Sequence, residues 1–525
     1  MITPRRRLAA AALTLIGTTL ISTVLAVTPA SAAPTPGPTP GSPAYMQRDI
    51  SNMQATFGRN AAQLENPAYL PEFFLGAARL YGDQGTTQLE NPTRPSLTAG
   101  SLVPGFAAPA PDRAHWSGTR GQDIAVTFTA SDGAALRGDV FTPLPGARDP
   151  YTGQSLQGPF PGVVIVPGSI QASRNEYQWL AEDLAERGYV VLTFDVQGQG
   201  QSETLPHGSS DPNLSGCPLG QPQSGQVTTC DGVPSEQDQN FIDSTEDAIS
   251  FFLSTPGDPY PNPGAGSLAV NPYNPQWDLF DHSRDNRTAT PGRTTGLALI
   301  GHSTGAVITS YLQGVDPRIE TAVALDKITA TANAISDDQA GTGSLPGPVV
   351  PVVPTLGVQS EYGFEPQPYF EAGCSSFEPC PAAPGGTVAV PDLGAAPSPN
   401  REEDTGFNTW RAAGVDSMVI VPRASTHLIY TDSPPVLPAS AAGQAMASYY
   451  VQAWLDKYLK HDSQGGYGLL SPTVRYIGPD QEGHWAMHTF NRDGNLSFYF
   501  CSGYAFDLHG HKTFADPDIT HDGCS

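Results

Sequence analysis

Basic residues are scarce in this chain. There are 26 Lys and Arg against 51 Asp and Glu, for a formal charge of −25 and a pI near 4.6. A surface of that sign repels phosphate backbones and anionic headgroups, which excludes nucleic-acid binding and docking on anionic membranes; the acidity itself reads as solubility. Cysteine is sparse too: six residues with no C-x2-C pair, so a thiolate metal site is not expected. No phosphate-binding or dinucleotide glycine loop stands between a strand and a helix, and GQGQS (198–202) has the wrong spacing. No internal repeat is present. These absences leave a protein with no expected cofactor and no expected metal.

What is there begins with an export signal. Three arginines (5–7) precede an apolar stretch from Leu8 to Val27, closed by Ala30-Ser31-Ala32. Charged, apolar and small-residue segments in that order predict a secretory signal over 1–32, exported by the general or the twin-arginine route, and a secreted, extracellular product. No stable membrane insertion is expected once the signal is cleaved. In an exported chain an even cysteine count predicts disulfides. Neighbour pairing gives 217/230, 374/380 and 501/524, one of fifteen possible arrangements.

Residues 33–43 are a Pro-rich linker, and 44–110 form a mainly helical extension. From about 120 the pattern changes. DIAVTFTASDGAALRGDVFTPL (123–144) alternates around a turn as an antiparallel hairpin does. Continuous apolar runs then alternate with helical segments: PGVVIVPG, NEYQWLAEDLAERG, YVVLTFD, DSTEDAISFFL, GLALI, GAVITSYLQ, TAVALD, VVPVVPTLGVQS and VDSMVIVPR. This predicts an α/β fold with a mostly parallel central sheet and helices on both faces, functional groups gathering beyond the carboxyl ends of the strands. The helix ASYYVQAWLDKYLK closes this domain (111–460), which carries loop insertions at 205–235, 255–293 and 362–404. Residues 461–525 form a C-terminal extension with strand-like FYFC.

One stretch carries chemistry. LIGHSTGAV (299–307) sets Ser303 between Gly301 and Gly305, after a strand and before a helix. Glycines two residues either side permit a sharp turn that presents the serine as a nucleophile. A serine hydroxyl needs a base, and the base needs a carboxylate, in chain order Ser, acid, His for such an elbow. His427 follows the last buried strand and is the expected base. Glu361 is the first carboxylate beyond the strand ending near Val358 and is the expected acid, with Asp404 and Asp326 as rivals. The amide of Thr304, and a second from Ser169 after VVIVPG, are the expected oxyanion donors. His302 is read as structural. The His/Asp-rich segment HGHKTFADPDITHD (509–522) matches no strong ligand spacing and reads as a solvated tail, and Asn286-Arg287-Thr288 fits a glycosylation sequon.

The ordered set VVIVPGS, VLTFDVQGQGQS, LALIGHSTGAV, PTLGVQSE and STHL resembles the α/β-hydrolase superfamily over roughly 120–460. PGVVIVPGS together with WLAEDLAERGYVVLTFD is further similar to secreted actinobacterial lipases and cutinase-like polyesterases. The chain departs from them in three places. Gly363 stands where the usual aspartate would follow the acid-bearing strand, Gln197 stands where a loop arginine is usual, and Ser169 replaces a frequent aromatic. The resemblance implies a serine hydrolase cleaving carboxylic esters, small or polymeric, through Ser303, His427 and Glu361. An exported amidase or peptidase with the same triad is the alternative, ahead of a non-catalytic wall- or polymer-binding protein.

Overall fold

A computed structural model describes residues 37–39, 41–61, 67, 69–92, 111–113, 115–131, 133–168, 173–203, 238–261, 268–283, 296–326, 328–330, 345–362, 406–432, 441–480, 483–507 and 513–520. The signal segment and Asp404 lie outside them, as do Ser169, the sequon, most of the insertions and every cysteine except Cys501.

Two helices come first, α1 (Pro43–Ala61) and α2 (Tyr69–Glu90). A hairpin follows, β1 (Gly121–Thr129) against β2 (Ala135–Pro143), in register from Gly121↔Pro143 to Thr129↔Ala135. The alternating segment is β3 (Gly162–Val166), α3 (Gln178–Glu186), β4 (Val190–Phe194), α4 (Asp238–Phe252), β5 (Leu297–His302), α5 (Thr304–Val315), β6 (Thr321–Leu325), β7 (Thr355–Val358), α6 (Gly406–Ala413) and β8 (Ser417–Ile420). The chain ends with α7 (Ala441–Tyr458), α8 (Ser463–Leu470), a hairpin of β9 (Thr473–Pro479) and β10 (Trp485–Asn491), then β11 (Gly503–Asp507) and β12 (Thr513–Asp516).

Ten strands form one sheet in the order β1-β2-β4-β3-β5-β6-β7-β8-β11-β12. From β4 to β8 the neighbours are parallel, and an antiparallel pair extends each end. This is the α/β architecture of the hydrolase fold. The C-terminal segment therefore adds strands to the main sheet, and the strand there is 503–507, not 498–501. The run 349–360 gives only a four-residue strand. Pro351 and Pro354 have no N–H to offer a ladder, which explains its late start.

Each central strand is buried on both faces, and its residues alternate between two cores. Val163, Ile165, Ala298, Ile300, Val323 and Leu325 pack on the α3/α7 side, where Trp179 and Trp454 are fully buried. Val164, Val166, Leu297, Leu299, Ala322 and Ala324 face α4 and α5. Covering both faces accounts for the unbroken Val/Ile/Leu runs: each fully buried aliphatic contributes about 1.5–3 kcal/mol. The chain runs β3 to β4 on one side and then crosses to β5 on the other, so the order reverses between β3 and β5. Loops diverge at such a point and leave a crevice beyond the strand ends.

Helices α1 and α2 belong to the same compact unit as the sheet. Tyr45 of α1 joins Phe407, Val419, Val421 and Tyr499 in a third core. Gln84 of α2 donates to the Gly200 carbonyl at 3.0 Å, and the Tyr69 hydroxyl reaches Asp432 at 3.4 Å. Both acceptors lie on loops beyond strand carboxyl ends. No helix of the described residues is long and apolar enough to cross a membrane.

Candidate active site

At the reversal point β5 ends at His302, and Ser303 turns the chain into α5 with φ 55° and ψ −123°. A non-glycine residue in that region is strained and persists only where its surroundings over-determine it. Here they do. A Cβ on Gly301 would lie 2.0 Å from the Gly305 carbonyl oxygen, and one on Gly305 would lie 2.5 Å from the carbonyl oxygens of Val166 and Pro167. Both glycines are thus required by contact, not merely by flexibility. The Ser303 amide donates to the Leu325 carbonyl at 3.1 Å, tying the turn to β6.

His427 opens a single 3₁₀ turn, His427–Tyr430, after β8. Its ring lies 4.6 Å, centroid to centroid, from that of His302, next to the elbow. Its Nδ1 bonds the Oδ2 of Asp326. The other oxygen, Oδ1, accepts from the Ser360 amide at 2.8 Å and its hydroxyl at 2.7 Å. A carboxylate so held accepts a hydrogen bond from Nδ1–H, which keeps the ring proton on Nδ1 and leaves a lone pair on Nε2, the state required of a general base. Asp326 itself sits at φ 91° just past β6, its amide bonded to the Val358 carbonyl at 3.0 Å.

Glu361, the expected acid, is elsewhere. Its Oε1 accepts from the Ser497 hydroxyl at 2.7 Å and its Oε2 from the Ala424 amide at 2.6 Å, while Asn52 of α1 also donates to Oε2. The reason is chain geometry: successive side chains of an extended segment point to opposite sides. Ser360 faces Asp326 and His427, so Glu361 faces α1. Burial pushes its carboxyl above the usual carboxylate range, opposed by those hydrogen bonds and by Arg423. The carboxylate that meets the His427 ring is instead that of Asp326, a rival in the sequence reading, one strand nearer Ser303. Of the rivals, Asp404 lies outside the described residues.

Thr304 is the first residue of α5, where an N–H has no intrahelical acceptor. Ser169, the other expected oxyanion donor, lies outside the described residues. The preceding Gly168 is described: its amide donates to the Tyr177 hydroxyl at 3.0 Å, and its carbonyl accepts from Gln199 at 3.0 Å. A Cβ on Gly168 would come within 3.1 Å of the Ser303 Cβ, so the backbone at Gly168 passes against Ser303. Near Gln197, Asp195 is met by a cation from another segment. Arg174 bonds Asp195 through both its guanidinium and its amide, and it pairs with Asp139 as well.

His302, read as structural, is buried with both ring nitrogens engaged: Nδ1 with the Tyr177 hydroxyl at 2.7 Å and Nε2 with the His427 carbonyl at 2.9 Å. Burial first, and then the charge of His427, push its imidazole down to about 3. Neither Tyr177 nor Asn52 was legible as part of the site, because each lies in a helical segment with no motif around it.

No family model matches the chain, and no curated protein matches it. Among solved structures it is similar to a ferulic acid esterase from Streptomyces cinnamoneus, at 16% identity and a TM-score of 0.35, covering 65% of this chain and 90% of that one. A likeness of that strength carries no argument about function, which rests on the site itself.

Two outcomes are expected. Asp326→Asn should keep the fold while losing up to ~10⁴-fold in kcat through a misoriented imidazole. Glu361→Gln, which sets an amide NH2 among buried donors, should cost about 1–3 kcal/mol of stability and less than about tenfold in kcat. Steady-state kinetics and urea titration of both variants decide: a dead Glu361→Gln beside an active Asp326→Asn would reverse the assignment.

The second concerns pH. The folded value for His302 lies below the ordinary histidine value of ~6.5, so the unfolded chain takes up a proton between pH ~6.5 and ~3 that the folded chain refuses. Its contribution is complete above that window and is lost as pH falls through it. Wild type should lose on the order of 1 kcal/mol per pH unit more than His302→Gln between pH ~6 and ~4. Parallel urea-derived stability curves would contradict this.

Proposed function

We propose that the chain is a secreted serine hydrolase cleaving carboxylic esters through an acyl-enzyme. One observation carries the reading: a serine on a strained strand-to-helix elbow beside an imidazole whose Nδ1 is held by a fixed carboxylate. Ser303 Oγ attacks the ester carbonyl carbon while His427 Nε2 takes its proton. Asp326 stabilises the imidazolium, and the tetrahedral oxyanion takes hydrogen bonds from the Thr304 amide and the Ser169 amide. His427 then returns the proton to the leaving alcohol. Water, deprotonated by the same nitrogen, releases the acid and frees Ser303. This sequence of steps needs no metal and no cofactor.

Export is supported by the charged, apolar and small-residue pattern of residues 1–32, and the even cysteine count goes with disulfides in the secreted product. The acidic surface suits a neutral ester, small or polymeric, better than an anionic polymer.

The test is a panel of p-nitrophenyl esters of graded acyl length beside the matching anilides, with fluorophosphonate labelling. Wild type is expected to turn over esters and take the label, and Ser303→Ala to lose labelling and on the order of 10³-fold or more of ester hydrolysis. Anilide turnover without ester turnover would make the chain an amidase. Full activity in Ser303→Ala would end the serine mechanism.

A further inference from the structure

Beneath the elbow runs a chain of three hydrogen bonds that joins Gly168, just past β3, to the turn carrying His427. It passes from the Gly168 amide to the Tyr177 hydroxyl at 3.0 Å, on to His302 Nδ1 at 2.7 Å, and from His302 Nε2 to the His427 carbonyl at 2.9 Å. The chemistry of its ends sets every direction. A carbonyl oxygen only accepts, so His302 carries its proton on Nε2 and donates to His427. Its Nδ1 must then accept, so the Tyr177 hydroxyl donates to it. A main-chain amide only donates, so Gly168 gives its proton to the same tyrosine oxygen.

Tyr177 and His302 are almost fully buried, at 1% and 2% exposure. An apolar pair would fill this volume without needing partners, whereas buried polar groups must all be satisfied. What the polar pair adds is connection. His302 is joined through the backbone to Ser303, through Nε2 to His427 and through Tyr177 to Gly168, whose Cα lies against Ser303. Because burial keeps the His302 ring neutral down to about pH 3, the bond directions hold across any working pH.

We propose that Tyr177 and His302 are positioning residues, setting His427 and Gly168 in register about Ser303. The proposal rests on the Ser303–His427–Asp326 reading. His427 is then held from two sides, its ring by Asp326 and its main chain by His302, which restricts the orientations open to the imidazole. Small displacements at such a centre are costly, a 1 Å shift on the order of 10²-fold in rate.

The test uses the full-length protein, with p-nitrophenyl acetate and a fluorophosphonate as probes, at a temperature where circular dichroism shows wild type folded, each variant being checked in the same way. His302→Asn places an acceptor where Nδ1 stood and loses the donor to His427. His302→Gln keeps that donor and loses the acceptor for Tyr177. Tyr177→Phe removes the hydroxyl alone. His302→Asn is expected to lose roughly 10–100-fold in both kcat and labelling rate with KM within about threefold. His302→Gln and Tyr177→Phe should lose less, and their double variant no more than either single one, because both cut the same link. Equal losses in His302→Asn and His302→Gln would mark His302 as packing only and overturn the proposal. If neither histidine variant folds, Tyr177→Phe decides: an unchanged kcat and labelling rate overturns it. Failure of the triad reading is separate, since only then does Ser303→Ala keep labelling.

Discussion

The contact between Gly301 and Gly305 is the constraint from which the rest of the site follows. With Gly305 against the carbonyls of Val166 and Pro167, helix α5 starts as close to β3 as a backbone allows. The one residue between strand and helix with a side chain to present, Ser303, is forced to positive φ, a conformation that costs of order 1–3 kcal/mol. That strain is carried by two hydrophobic cores packed on a sheet buried on both faces. The same closeness brings Gly168 against the nucleophile. A single methyl group at 301 or 305 would separate these elements, and Ser303 and Gly168 would no longer share a frame.

Parallel pairing of β5, β6, β7 and β8 does the second part of the work. In a parallel sheet all the carboxyl ends open on the same edge. Ser303, Asp326, Ser360 and the turn at His427 thus emerge side by side from four strands spread over more than a hundred residues. Asp326 reaches His427 because its amide is pinned to Val358 and its carboxylate to Ser360. The placing of Ser303, Asp326 and His427 is therefore a property of strand order rather than of any local motif.

This explains what could and could not be read in the residues. The buried strands and the hairpin were legible because their patterns are local, and so were the elbow serine and the position of His427. The acid depended on a side-chain parity. One residue decides whether a carboxylate after β7 faces the imidazole or the opposite side, and Glu361 falls on the opposite side while Ser360 falls on the near one. Asp326 ends the strand beside the nucleophile strand, but strand adjacency is set by the crossover between β3 and β5, which no local pattern records. The ion pair at Asp195 is of the same kind, since Arg174 reaches it from a different segment.

Glu361 has a task of its own in this arrangement. It sits behind the His427 loop and accepts from Ala424, which stands at φ 54°, from Ser497 and from Asn52 of α1. Arg59, also on α1, donates to the Arg423 carbonyl in the same loop. A buried carboxylate without partners costs several kcal/mol, so each donor is needed for the others to be tolerated. The loop bearing His427 is consequently gripped on one side by Asp326 and on the other by a carboxylate whose partners come from the N-terminal helix and the C-terminal segment. Those two regions, which read as appendages to the central α/β domain, supply the back wall against which His427 is set.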